Sequence, residues 1–250
     1  MSPSPSPSSG RNRITGAAML AGIAGQPVAH SLSPVIHNAW LEAGNIDGAY
    51  MPFAPRDAAG FDALVAAGRA GLVQGLNVTA PFKEQAFALA DEASKAAQAT
   101  GSANILVFQD GRVLADSSDG ALQLQVRILN RSRDRAEALA ADLGPSVSVA
   151  DEAALSEADL VINALSVPPA IDLSALKPTA VVMDMTYKPV VTPFLAAARA
   201  RGLTTVDGLA MLIGQAAPLF TALFHRPPPP LDLRALLLAH LGEAQVGKTA

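Results

Sequence analysis

Short apolar runs alternate with segments of helical periodicity along most of this chain. Runs bounded by turn-forming residues predict strands, and apolar residues spaced three and four apart predict helices. The pattern predicts strands at residues 18–24, 49–53, 71–78, 126–129, 146–149, 160–164 and 180–185. It predicts helices at residues 34–43, 58–70, directly after residue 83, and at 134–143, 193–201, 209–223 and 231–241.

A hairpin interrupts this alternation in the first half. Residues 104–108 and 112–115 are strand-like and flank Asp110 and Gly111, a dipeptide typical of tight hairpin turns. Elsewhere strands and helices follow one another singly, as they do when helices cover both faces of a sheet. The sequence therefore predicts an α/β fold with parallel, doubly wound sheets in two domains.

Composition narrows the classes of protein. The chain has 250 residues, half of them hydrophobic, and no cysteine. Disulfides and thiolate metal sites are therefore excluded, and no metal site is expected. The net charge of -4 offers no basic surface for nucleic acid. The Ser/Pro-rich start lacks the apolar centre of a signal peptide, and no apolar stretch reaches the roughly eighteen residues of a membrane helix. We expect a cytoplasmic protein without nucleic-acid or membrane partners.

The segment from Asn77 to Lys83 combines amide, hydroxyl and lysine side chains at a predicted strand-to-helix turn. Pro81 ends the strand, and Lys83 opens a helix-forming stretch. In open α/β sheets the carboxyl ends of the strands face the ligand crevice. The segment is thus a candidate active-site edge for a small polyol. The alternative interpretation of Lys83 is a solvated surface lysine at a helix start.

A second polar segment follows the first predicted strand. Ser31 and Ser33 lie two residues apart, just before Pro34. Two hydroxyls at this spacing form a compact donor pair for a carboxylate. Ser33 is equally suited to cap the helix that Pro34 begins. The two roles are compatible, because helix starts also receive anions.

These segments, together with Gly101-Ser102-Ala103-Asn104 and Asp116-Ser117-Ser118-Asp119-Gly120, resemble the shikimate dehydrogenase family. The resemblance runs from about Met19 to Leu124 and again from about Arg127 to Phe220. It implies an oxidoreductase that reduces 3-dehydroshikimate to shikimate with NADPH, in aromatic amino-acid (chorismate) biosynthesis.

The resemblance also assigns roles to particular residues. Lys83 and Asp119 are the implied acid/base pair, since reduction of a ring ketone by a hydride needs a proton for the developing alkoxide. Ser31 and Ser33 are implied to bind the substrate carboxylate. Further implied substrate contacts are Asn77, Thr79, Asn104, Asp119, Tyr187 and Gln215. Gly208 and Met211 are implied to lie near the nicotinamide of the cofactor.

The chain departs from the family after Gly120. Residues 121–125 lead directly into residues 126–129, which resemble the second dinucleotide-binding strand. The first strand, its glycine-rich turn and the following helix, roughly thirty residues, are absent from the sequence. We therefore expect binding of the cofactor NADP to be weak or lost.

The next part of the family's cofactor site is present. Asn130, Arg131 and Arg133 follow this strand, where arginines can hold the 2′-phosphate of NADP. The alternative is that Ser132 caps a helix whose arginines are simply solvated.

The resemblance divides the chain into four parts. These are a disordered tail at residues 1–13, a substrate-binding and catalytic domain at 14–120, a truncated NADP-binding Rossmann-like domain at 121–208, and C-terminal helices at 209–242, the last packing back on the substrate domain. A small-molecule substrate and a monomer or homodimer are expected. Two other functions stay open: a shikimate-binding relative that has lost cofactor binding, and a quinate/shikimate dehydrogenase.

Overall fold

The computed structural model describes residues 14–118, 124–165 and 167–242. The chain divides into two compact units. The first contains residues up to 120 together with those from 215 onward, and the second contains residues 121–214. The tail predicted at residues 1–13 lies outside the described residues.

The first unit is built on one six-stranded sheet. Its strands are β1 (Met19–Ala24), β2 (Gly48–Phe53), β3 (Gly75–Val78), β4 (Glu92–Ala93), β5 (Ile105–Gln109) and β6 (Arg112–Asp116). Their order in the sheet is β2-β1-β3-β5-β6-β4. β2, β1 and β3 are parallel, whereas β5 pairs antiparallel with both β3 and β6. The hairpin therefore makes the predicted parallel sheet a mixed one.

Helices occupy the connections between strands and the end of the chain. They are α1 (Ser33–Ala43), α2 (Ala58–Arg69), α3 (Lys83–Ala88), α4 (Lys95–Thr100), α5 (Arg133–Leu143), α6 (Pro193–Ala200), α7 (Gly208–Phe224) and α8 (Leu233–Leu241). The last helix, α8, contacts α1 and buries Leu233 and Leu237. None of the helices in the described ranges is both long and apolar enough to cross a bilayer.

Local chemistry explains several of these boundaries. Asp57 caps α2 by accepting a hydrogen bond from the N–H of Gly60 at 2.8 Å. Asp110 and Gly111 have φ of 51° and 76°, the left-handed values that a tight hairpin turn requires. The turn dipeptide between β5 and β6 thus has the conformation that its sequence predicts.

Three local predictions are wrong. The strand predicted at 71–78 begins only at Gly75, because Gly71, with φ of 82°, turns the chain after α2. The helix predicted from Pro34 begins at Ser33, so Leu32 and not Ser33 is its N-cap residue. Ser132 does occupy the N-cap position of α5, but among the described residues its side chain makes no capping hydrogen bond.

Besides two 3₁₀ helices, at Glu152–Glu157 and Leu173–Ala175, three short elements were not predicted at all. These are β4, α4 and β11, the last of which belongs to the second unit and spans Thr204–Val206. β4 has 2 residues, β11 has 3 and α4 has 6. Elements of this length show too few turns or alternations to give a periodic signal.

The second unit contains two separate sheets. One pairs β7 (Val126–Ile128) with β8 (Val147–Val149), and the other has the order β11-β10-β9, with β9 at Leu160–Asn163 and β10 at Val181–Asp184. All three described pairings in these sheets are parallel. Val182 and Leu195 lie fully buried in the core of the three-stranded sheet.

The break between these sheets falls at an informative place. A complete doubly wound domain has the strand order 3-2-1-4-5-6, so its first strand lies between the second and the fourth. Strands β8 and β7 take the places of the third and second, and β9, β10 and β11 those of the fourth to sixth. Within the described part of the chain, no strand fills the position between β7 and β9.

Candidate active site

Polar residues of the first unit lie at one edge of its sheet, where neighbouring strands end. Asn77 lies in β3, and Thr79 follows with its N–H donating to the carbonyl of Ala24 at 2.9 Å. Asn104 precedes β5, and its carbonyl accepts from the N–H of Val78 at 2.8 Å. Three residues predicted to bind substrate are therefore held by strand pairing at adjacent strand ends.

Lys83 is tied to the same edge. It is the first residue of α3 and is half-buried, and its backbone carbonyl accepts from the N–H of Ala103 at 2.9 Å. The preceding Phe82 is buried and stacks on Phe61, with ring centroids 4.8 Å apart. The start of α3 is thus anchored in the core, and the Lys83 backbone lies next to the segment that carries Asn104.

The predicted partner of Lys83, Asp119, lies outside the described residues. The chain that leads to it is anchored on Asn104. The side-chain Nδ2 of Asn104 donates to the hydroxyl of Ser118 at 2.7 Å, and its Oδ1 accepts from the N–H of Ser118 at 2.9 Å. The pairing of Lys83 with Asp119 stays a prediction.

The serine pair lies at the start of α1. The backbone N–H of Ser33 donates to Oγ of Ser31 at 3.2 Å. Although burial has the larger effect and raises the pKa of the Tyr50 phenol, the Ser33 side chain acts to lower that pKa. Because Ser31 Oγ only accepts in its bond to Ser33, its own O–H can donate to a carboxylate. Both serines are partly exposed, so a ligand can reach them.

Tyr50 is a component of this region that the sequence analysis missed. It lies in β2, is fully buried, and donates its hydroxyl hydrogen to Oδ1 of Asn77 at 2.5 Å. Nδ2 of Asn77 is buried and has no hydrogen-bond partner in the described ranges. Burial raises the pKa of the Tyr50 phenol well above its usual value, so the hydroxyl stays neutral. The only sequence signal for the role of Tyr50 was the presence of a polar side chain within an apolar strand.

His37 lies beside this network inside an aromatic cluster. Its ring is stacked with Tyr50 at 4.2 Å and with Phe220 at 5.9 Å, and it meets Trp40 edge-on at 5.7 Å. Neither ring nitrogen has a hydrogen-bond partner in the part of the chain that is described. Burial lowers the pKa of His37 from 6.5 to about 3. The imidazole is therefore neutral at neutral pH.

In the second unit, Tyr187 follows a buried carboxylate. Asp184 ends β10 and accepts hydrogen bonds from the N–H of Thr186 at 2.9 Å and the hydroxyl of Thr192 at 2.7 Å. Burial acts to raise the pKa of Asp184, but these hydrogen bonds outweigh it and leave the pKa below its usual value. Asp184 thereby joins both ends of the loop that carries Tyr187, which is half-buried.

The remaining predicted residues lie along α7. Gly208 begins this helix, and a Cβ there would lie 2.4 Å from the carbonyl oxygen of Met185, so only glycine fits. Met211 follows one turn later, and Gln215 belongs to the first unit; both are partly buried.

The residues predicted to hold the 2′-phosphate of NADP are exposed. Asn130, Arg131 and Arg133 lie between β7 and the first turn of α5. Arg133 pairs with Glu137 at 2.8 Å and lines a polar cavity of about 270 Å³ with Arg127, Ser148, Val149, Ala150, Asp151 and Ala154. These guanidinium groups suit a phosphate, whereas residues 121–143 contain no glycine for a pyrophosphate-binding turn. The residues present fit only part of the cofactor.

No group of three or more His, Asp or Glu in the described segments is placed to bind a metal ion.

The sequence of this chain is similar to those of known proteins. The family model described as shikimate dehydrogenase substrate binding domain matches residues 23–106. Shikimate dehydrogenase (NADP(+)) of Caulobacter vibrioides is 43% identical over 283 aligned positions, which cover 93% of this chain and 99% of that protein. The enzyme of the same name from Maricaulis maris is 40% identical, with 91% and 98% covered.

Solved structures show the same likeness. Shikimate 5-dehydrogenase from Thermus thermophilus in complex with shikimate has a TM-score of 0.78 and 26% identity, covering 90% of this chain and 99% of that one. Its complex with NADP(H) and shikimate has a TM-score of 0.75 and 25% identity, with 87% and 98% covered.

The alignment with the Caulobacter protein is longer than this chain. It has 283 positions but covers only 93% of the 250 residues here, so about 50 positions of the relative have no counterpart. A strand, turn and helix of roughly thirty residues is of that order.

Proposed function

The chain belongs to the shikimate dehydrogenase family, and from this premise we propose that it is an NADP-dependent oxidoreductase that reduces 3-dehydroshikimate to shikimate in aromatic amino-acid biosynthesis. The observation that carries the proposal is the set of polar residues at one sheet edge, where Asn77, Thr79 and Asn104 lie at adjacent strand ends and Lys83 is tied to the same edge by its backbone. Such a set offers neutral hydrogen-bonding groups for ring hydroxyls beside one cation.

In this proposal the first unit binds and orients the substrate. Ser31 and Ser33 donate hydrogen bonds to its carboxylate, and Asn77, Thr79 and Asn104 receive its ring hydroxyls. Tyr187 and Gln215 add further contacts. Among the described residues the buried Nδ2 of Asn77 has no hydrogen-bond partner, which supports this assignment, because a buried N–H is stabilised when a ligand hydroxyl accepts from it.

Lys83 acts in the proposal as the proton donor. NADPH, when bound, supplies the hydride that adds to the ring carbonyl carbon. The carbonyl oxygen gains a negative charge as it becomes an alkoxide, and the Lys83 ammonium transfers a proton to it. Asp119 holds the ammonium in place and stabilises its charge before transfer. Solvent returns the proton to Lys83 afterwards.

The residues present support cofactor binding less completely than substrate binding. Asn130, Arg131 and Arg133 are the residues that would hold the adenosine 2′-phosphate, and Gly208 and Met211 would lie near the nicotinamide. Without a glycine-rich turn the pyrophosphate loses backbone donors that are worth about 1.5–3 kcal/mol each. The interrupted sheet of the second unit therefore favours a second candidate function, a shikimate-binding relative without redox activity.

Titration distinguishes these functions. Calorimetry with shikimate should show binding that weakens by about a hundredfold in the double variant Ser31→Ala/Ser33→Ala, since two hydrogen bonds to a charged group are lost. The matched control is Ser156→Ala, whose hydroxyl bonds only within its own short turn. Absence of binding at millimolar shikimate contradicts the proposal.

A parallel titration with NADPH, and a turnover assay, separate the two candidates. NADPH binding with turnover supports the dehydrogenase, and shikimate binding alone supports the redox-inactive relative. Tighter binding of quinate than of shikimate would indicate the quinate/shikimate dehydrogenase.

We further propose that the protein works in the cytoplasm, as a monomer or homodimer, on small-molecule ligands. Its net charge of -4 gives no support for a nucleic-acid partner. Sedimentation at micromolar protein concentration distinguishes the monomer from the dimer.

A further inference from the structure

The backbone of Tyr50 is fixed on both sides. The side chain of Asn38 reaches across from α1, accepting from the N–H of Tyr50 at 3.0 Å and donating to its carbonyl at 2.8 Å. The ring lies flat on His37, with an interplanar angle of 8° and no exposed surface. A side chain held this firmly presents its hydroxyl at one place.

That hydroxyl reaches a residue of the segment predicted to bind the ring hydroxyls of the substrate. It donates to Oδ1 of Asn77 in β3. A phenol has one hydrogen, and the bond to Asn77 uses it. One buried hydroxyl thus fixes which end of the Asn77 amide is turned toward Tyr50.

This bond decides which atoms are left for a ligand. With Oδ1 of Asn77 turned toward Tyr50, the amide NH₂ group is the unsatisfied end, and it is buried without a partner among described residues. A rotated amide would instead offer an acceptor. The orientation of Asn77 therefore determines whether this position donates to a ligand hydroxyl or accepts from it.

We propose that Tyr50 is a positioning residue that holds the Asn77 amide with its NH₂ group available to a ring hydroxyl of the ligand. The proposal rests on the proposed function for the identity of the ligand. Its geometry does not depend on the cofactor. The ring of Tyr50 serves packing, and the hydroxyl serves this alignment.

The test is Tyr50→Phe, which keeps the ring on His37 and removes only the hydroxyl. Shikimate affinity should fall by about 10- to 100-fold, because a buried acceptor loses its partner and the amide is released. The matched control is Phe220→Leu, which disturbs the same aromatic cluster without touching the hydroxyl. Its shikimate affinity should stay within about threefold, which is under 1 kcal/mol.

A double-mutant cycle separates alignment from general loosening. If Tyr50 acts through Asn77, Tyr50→Phe should cost much less affinity in the Asn77→Ala background than in the wild type. Equal losses in both backgrounds overturn the proposal, as does an equal loss in Phe220→Leu.

A second measurement needs no ligand. The side-chain amide resonances of Asn77, assigned by their absence in Asn77→Ala, should shift in Tyr50→Phe and stay in place in Phe220→Leu. Unchanged resonances in Tyr50→Phe overturn the alignment itself. Failure of the wild-type chain to bind shikimate would overturn the proposed function and the ligand named here, while the resonances still decide whether Tyr50 orients Asn77.

Discussion

The two units of this chain differ in how completely their strands are joined into one sheet. In the first unit six strands form one sheet, and the buried Tyr50 of one strand is hydrogen-bonded to Asn77 of another. In the second unit the strands fall into two sheets, and apolar residues at the break are exposed: Leu160 by 43% and Ile162 by 49%. Both residues lie in β9, the edge strand of its sheet, and exposed apolar side chains on an edge strand are typical of a missing neighbour.

The continuous sheet carries residues predicted to bind substrate, whereas the interrupted strands of the second unit carry residues predicted to bind the cofactor. Three predicted substrate residues of the first unit, Asn77, Thr79 and Asn104, lie in or next to strands of one continuous sheet. The predicted cofactor residues of the second unit, Asn130, Arg131 and Arg133, stand beside a position that no described strand fills. The sheet of the first unit is thus continuous, whereas the described strands of the second unit leave a central position unfilled.

The largest effect is expected from restoring that element. Insertion of a family-like strand, glycine-rich turn and helix between Gln125 and Val126 should tighten NADPH binding by about a hundredfold to a millionfold. Two or three backbone hydrogen bonds to the pyrophosphate, at about 1.5–3 kcal/mol each, account for this range. Calorimetric titration measures it.

The control is an insertion of equal length made of glycine and serine, which supplies neither a strand nor an ordered helix start. It should leave NADPH binding unchanged. The comparison between the units breaks down if the chain without any insertion already binds NADPH at micromolar concentration, because another segment must then hold the phosphates.

The next largest effect concerns Lys83, tested in the chain that carries the family-like insertion. Lys83→Ala should lower kcat by about 10²- to 10⁴-fold, the usual contribution of a general acid, while shikimate affinity stays within about tenfold. Steady-state kinetics and calorimetry give the two values.

Lys95 offers a matched control, because it also begins a six-residue helix of the first unit and is exposed. Lys95→Ala should leave both values unchanged. Equal losses of affinity and turnover in Lys83→Ala would assign this lysine to substrate binding in the ground state.

A third prediction concerns the stability of the first unit at acidic pH. His37 has a pKa of about 3 when folded and about 6.5 when unfolded, so the unfolded state binds more protons between these values. The contribution of His37 to the free energy of unfolding is therefore complete above pH 6.5 and is lost as the pH falls below that value. Between pH 7 and pH 5 the free energy of unfolding should drop by about 2 kcal/mol.

The single tryptophan, Trp40, reports on this unit because it contacts His37. Urea unfolding followed by Trp40 fluorescence at both pH values measures the drop. The variant His37→Phe lacks the titrating group and should lose most of the difference. The same drop in both proteins would show that other groups cause it.

The smallest effect is expected at the second unit's exposed arginines. Arg131→Ala should remove most of the preference for NADPH over NADH, about fivefold, since an exposed guanidinium contributes little. The preference should also shrink as salt is raised. Arg112→Ala, at an exposed ion pair of the first unit, is the control. A preference that survives in Arg131→Ala would place the 2′-phosphate elsewhere.

Much of this architecture follows from short stretches of sequence. The strand and helix positions around Asn77 and Lys83 depend on a proline, a helix start and an apolar run, all within about ten residues. The hairpin at Asp110 and Gly111 depends on the left-handed backbone that these two residues tolerate. The α/β class and the family are confirmed for the same reason, since local patterns and motifs carry them.

Tertiary structure alone decided the contacts between distant residues. Tyr50 meets Asn77 across 27 positions of sequence, and Asn104 meets Ser118 across 14. No periodicity encodes such pairs, because they arise only when strands align in one sheet. The exposed edge of β9 is equally invisible in sequence: an apolar run predicts a strand, but its neighbours decide whether that strand is buried.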